Sequence, residues 1–160
     1  MPILNTQLGG QAKDATGKLT NLLPQVALML RGPILQVTIT VEENVGKGLL
    51  AQGKPVPTPV SGMALIDTGA TNTCIDDQAA QSLGLPIIDV ARMTSATHAN
   101  QQCNIYPVQI NMPPNLTINA PRAMGAGLAA QGLLVLLGRD VLQACNLFYN
   151  GPMGQFTLSI

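Results

Sequence analysis

Tryptophan is missing from this 160-residue chain, and two tyrosines and two phenylalanines are its only aromatic side chains. Charge is scarce too: 8 Lys+Arg and 8 Asp+Glu make 10% of the residues and a formal net charge of zero. Nucleic-acid binding needs phosphate-neutralising cations or stacking rings, and the chain is poor in both. A basic face for a membrane surface is equally lacking. Three cysteines, Cys74, Cys103 and Cys145, form no Cys-x-x-Cys pair, and His98 is the single histidine. So odd and sparse a set argues against a disulfide framework and a zinc site, and neither metal nor cofactor is expected. The longest clean apolar run, residues 133–137, is far too short for a bilayer span. Residues 1–8 carry neither the basic region nor the apolar stretch of a signal peptide. The expectation is a cytoplasmic protein with reduced thiols and no membrane or nucleic-acid partner.

Hydrophobic residues, by contrast, make up 46% of the chain, enough for a real core in one domain. A small domain with so few charges has little polar surface, so a partner chain is expected to cover part of its apolar face.

Residues 1–21 are polar and aperiodic and read as a mobile tail, which puts the folded domain at 22–160. Residues 26–30 and 34–41 read as strands, the second rich in β-branched residues, with Arg31-Gly32-Pro33 as a break. Residues 42–62, with four glycines and three prolines, read as a long loop with a short strand near Leu49. A strand over 63–66 then runs into Asp67. A helix is predicted over 76–83, where Asp76 and Asp77 suit the N-terminal dipole and Gly84 the C-terminus. Strand, polar connection (94–100) and return strand (103–112) follow, then a short strand at 116–120. An apolar strand at 133–137 leads into a helix over 138–145, and a hairpin turning at Asn150-Gly151 ends the chain. Many short strands with at most two helices predict an all-β barrel or sandwich.

Two segments carry chemistry. In Ala64-Leu65-Ile66-Asp67-Thr68-Gly69-Ala70-Thr71 a carboxylate directly follows an apolar strand, a costly place unless it is hydrogen-bonded or functional. The small residues after it let the backbone turn and donate N–H groups, although Asp-Thr-Gly alone is a tripeptide that chance supplies often. Downstream, Leu136 and Leu137 precede Gly138, Arg139 and Asp140. Together these motifs resemble the retropepsins and their bacterial relatives.

The resemblance implies a closed barrel with one short C-terminal helix and one Asp-Thr-Gly loop per chain. Pepsin-like enzymes carry two such loops in one long chain, so here a homodimer with a two-fold axis is implied. Two Asp67 carboxyls about 3 Å apart would share one proton and activate a water on a peptide or protein substrate. By the same resemblance Thr68 braces the partner's loop and Gly69 offers a carbonyl to substrate. Ala70 and Thr71 line the cleft, and Thr94, Ser95, Ala96, Thr97 and His98 sit where the family has its flap, closing over an extended peptide. This chain departs from the viral pattern in three places. Thr71 stands where viral members have the Asp that pairs with the helix arginine, the flap tip contains no glycine, and the loop 42–62 is longer than in the viral enzymes. Two other readings stay open: a retropepsin fold kept as an inactive binding or dimerisation module, and an unrelated β-sandwich in which both motifs are accidental.

Overall fold

The computed structural model describes residues 3–13, 15–94 and 100–160. The chain opens with Ile3–Gln7 (β1), Gln11–Lys13 (β2), Leu19–Asn21 (β3) and Pro24–Arg31 (α1). Ile34–Val41 (β4), Glu43–Ala51 (α2), Val60–Ile66 (β5), Cys74–Asp76 (β6) and Asp77–Ser82 (α3) follow. Next come Asp89–Met93 (β7), Gln101–Met112 (β8), Leu116–Ala126 (β9) and a 3-10 turn at Ala129–Gln131. Val135–Leu137 (β10), Arg139–Leu142 (α4), Asn146–Asn150 (β11) and Gln155–Ser159 (β12) complete it.

Six strands close a barrel in the order β4, β5, β10, β6, β9, β8, with β8 returning to β4. Along β4, Leu35, Val37, Ile39 and Val41 alternate inward and are buried, the period of two that a half-buried strand needs. They meet Ala64, Ile75, Val108, Ile110, Val135 and Leu137, all closed to solvent. Each such aliphatic side chain contributes about 1.5–3 kcal/mol on burial. The β8–β9 ladder shifts register between Tyr106 and Val108, where Pro107 has no N–H to give. β7 hydrogen-bonds to β8 alone and extends the sheet beyond the barrel. A second sheet, ordered β1, β12, β11, places Phe156 and Leu158 of β12 in the same core as Ala27 and Leu28 of α1.

This is the retropepsin-like closed barrel expected, but it carries more helix than the sequence suggested. Residues 26–30, read as a strand, belong to α1. A five-residue apolar run fits either state, and here Pro24 begins a helix that buries only Ala27 and Leu28. Gly32 then takes φ 71°, and its N–H returns to the Leu28 carbonyl at 2.9 Å. The first half of the supposed loop 42–62 is α2. Its two glycines count against a helix, but Glu42 caps it by accepting from the Asn44 and Val45 N–H groups, and Lys47 pairs with Glu43 one turn on. The three-residue β6 gave no readable pattern, and β9 runs six residues past the expected end at Ala120, through Pro121 and Gly125. Within 1–21, where no periodic structure was expected, β1 pairs with β12 over five positions and buries Leu4.

Removing residues 1–21 tests the domain start at Leu22. Nearly all of the core lies beyond that point, so the shortened chain is expected to melt cooperatively. Its midpoint should be several degrees lower, because Leu4, Leu8 and the β1 ladder are gone. A calorimetric scan with no cooperative transition would place the first strands inside the indispensable domain.

Candidate active site

Asp67 leaves the end of β5 where the barrel strand β10 runs beside it, and its N–H donates to the Leu137 carbonyl at 3.0 Å. The chain then folds back on the carboxylate. The Gly69 N–H donates to Asp67 Oδ1 at 2.8 Å, and the Ala70 N–H to the Asp67 carbonyl at 3.2 Å. A Cβ on residue 69 would stand 3.0 Å from that oxygen, so only glycine lets the N–H approach without crowding the acceptor. Asp67 is half-buried, while Thr68 and Gly69 are exposed.

The second motif clamps this loop. Gly138 lies so close to the backbone of residues 72 and 73 that a Cβ would sit 2.6 Å from the Asn72 oxygen and 2.8 Å from the Thr73 nitrogen. Thr73, wholly buried, donates through its N–H (2.9 Å) and hydroxyl (2.7 Å) to the Asp140 carboxylate, and its Oγ1 accepts from the Gly138 N–H. The Arg139 and Asp140 N–H groups donate to the carbonyls of Ala70 and Thr71. Arg139 spreads its guanidinium over the loop, Nη1 to the carbonyls of Thr68 (2.9 Å) and Gly69 (3.0 Å), Nη2 to Thr71 Oγ1 (2.9 Å). The threonine at the position of the viral aspartate thus still serves the helix arginine, as a neutral acceptor.

A cavity of about 550 Å³ opens on Asp67. Gly69, Ala70 and Thr71 line it as expected, with Thr94 from the far side. The other flap candidates, Ser95, Ala96, Thr97 and His98, lie outside the described residues. Of the second motif only Leu136 reaches the cavity; Leu137, Gly138, Arg139 and Asp140 act on the loop from behind. Asp140, read as a helix-start carboxylate, is also the acceptor that fixes Thr73. Asp76 caps α3 through the Ala79 N–H, and it further accepts from the Leu128 and Ala129 N–H groups.

The sequence reading missed Cys74, Met93 and Met124 in the cavity wall and the buried Thr73 behind it. Burial pushes the Cys74 thiol up to about 11, helped by Cys103, Asp140 and Asp67. It is therefore a neutral thiol at physiological pH and a poor nucleophile. Burial also raises Cys103 and Cys145. Among the described residues of this wall, the side chain equipped for acid–base chemistry at the Asp-Thr-Gly loop is the Asp67 carboxylate.

Barrel, loop and clamp together define a retropepsin-like aspartic protease fold. The family model described as gag-polyprotein putative aspartyl protease matches residues 59–144, more than half of the chain, and the protein belongs to that family. Among solved structures the chain is similar to a retropepsin-like aspartic protease from Rickettsia conorii, with 15% identity over 98% of this chain and 92% of that one, and a TM-score of 0.44. No curated protein matches the chain. No helix among the described residues is long and apolar enough to cross a membrane.

Arg139→Lys tests the clamp. A lysine ammonium is a point charge that cannot hold two carbonyls and a hydroxyl in one plane. For a guanidinium partly in solvent the expected loss is about 1–2 kcal/mol, a fall of roughly 2–8 °C in the melting midpoint. A variant melting within 1 °C of the parent would show that the backbone bonds hold the loop alone.

Proposed function

We propose that the protein is an aspartic endopeptidase that works as a homodimer, each chain supplying one Asp67. The observation that carries this reading is the Asp67 carboxylate, held by its own loop in a cavity that Arg92 and Met93 of β7 and Met124 of β9 also line. One aspartate cannot both activate a water and donate a proton to the developing oxyanion. Two can, because carboxyls in contact share a single proton: the ionised one takes a proton from water as it attacks the peptide carbonyl, and the protonated one donates. The substrate is an extended polypeptide segment, lying against the strands that border the cavity.

Among the described residues β11 is paired on one side only, and Phe148 and Tyr149 stand exposed on it, which supports a second copy docking there. An open edge that pairs with its own copy gives a closed two-fold contact. Thr68 is exposed beside Asp67, as bracing of the partner's loop requires.

Asp67→Asn should abolish cleavage of a peptide library, measured from pH 4 to 9 with and without a pepstatin-type inhibitor, while circular dichroism stays unchanged. Activity in the parent should be highest at mildly acidic pH, where the pair holds one proton. Residual activity within tenfold of the parent would remove Asp67 from the mechanism. A parent that dimerises but cleaves nothing would be the inactive binding module.

Specific activity should also fall on dilution, by mass action, in step with the dimer fraction seen by analytical ultracentrifugation. Activity per chain that holds constant through the dissociation range would mean that one chain suffices.

A further inference from the structure

A second cavity, of about 510 Å³, adjoins the Asp67 cavity, and Asn72, Arg92 and Met124 line both. Arg92 projects from β7, where its residue pairs with Gln102 of β8. Among the described residues lining the first cavity, Asp67 and Arg92 are the only charged ones. The Arg92 side chain makes no hydrogen bond or ion pair among the described residues. The carboxylates near it are already engaged. Asp89 accepts from Arg122 Nη2 at 2.6 Å, which holds its carboxyl below the usual range. Asp140 is taken by Thr73 and the Val141 N–H. Asp67 is the group the chemistry requires free. A lone arginine on an open strand would ordinarily be a solvated charge. This one borders both cavities, beside Met93 and Met124, and its exposed guanidinium is open to a carboxylate brought by a ligand of the Asp67 cavity.

We propose that Arg92 is a specificity-determining residue, selecting extended peptides that carry an acidic side chain at the β7 border of the Asp67 cavity. This rests on the peptidase reading given above. An extended peptide advances about 3.3 Å per residue with side chains alternating, so the selected residue lies away from the scissile bond, on the β7 side. Arginine suits the task because its fork takes both oxygens of one carboxylate.

The test uses full-length protein and peptide pairs that differ only by Glu or Gln at one position, scanned over four residues on each side of the cleaved bond. For at least one position the parent should show a kcat/KM ratio, Glu over Gln, of roughly fivefold, the size of a partly exposed ion pair. The ratio should fall to about one in Arg92→Gln. In Arg92→Glu it should drop below one, with Lys now preferred at the same position. Fluorescence anisotropy with the Asp67→Asn variant reads the same ratio from binding alone. A parent ratio of one at every position, or a Glu preference that Arg92→Gln leaves intact, overturns the proposal. A Glu preference in binding with no turnover in the parent would support the role of Arg92 as a docking cation and overturn the peptidase reading instead.

Discussion

Everything at the cavity floor depends on one contact, the seat of Thr73 on the Asp140 carboxylate. Thr73 is closed to solvent, so its hydroxyl and N–H would each lose a water partner at a cost of about 1–3 kcal/mol if left unmatched. Asp140 takes both, and the same Thr73 oxygen receives the Gly138 N–H. The clamp therefore joins residues far apart in the chain through hydrogen bonds between buried polar groups. It also explains why position 138 must be glycine: the two backbones pass too closely for a side chain between them.

From that seat the geometry propagates outward. Fixing residues 72 and 73 against β10 sets where β6 enters the barrel, and β10 itself lies between β5 and β6. Since β5 delivers Asp67 and β6 delivers Cys74, floor and wall of the cavity are positioned by the same short strand. Arg139 then ties the exposed tip of the loop, Thr68 to Thr71, through oxygens alone. A neutral threonine replaces a carboxylate there, consistent with a chain in which charge is scarce throughout.

Legibility in the sequence followed the same physics. The two motifs, the strands running into them, α3 and the final hairpin could be read because each has either strict alternation or a turn residue with a fixed backbone demand. The barrel was legible through a resemblance, since strand order depends on pairings such as β4 with β8 that no local pattern encodes. α1 was read as a strand because its few buried side chains leave no helical stripe to see, while α2 was hidden by Gly46 and Gly48. β1 was missed because its partner lies at the other end of the chain and only Leu4 is buried on it. Of the site, Asp67, Gly69 and the Gly138–Asp140 clamp were legible. Cys74, Met93, Met124 and Thr73 were not, because a cavity wall is assembled by tertiary contact from residues whose own neighbours look like ordinary strand.

The arrangement of Asp67 itself separates holding from chemistry. Oδ1 accepts the Gly69 N–H, and among the described residues no donor reaches Oδ2. A carboxylate fully enclosed by N–H donors would be pinned in its ionised form, since each such bond favours the charge. One bond is enough to fix the rotamer and leaves the second oxygen without a donor among the described residues. The loop around it is held by the clamp from behind, through Gly138, Arg139 and Asp140. The cavity side of Asp67 is thereby left open, so the loop can be rigid before anything occupies the cavity.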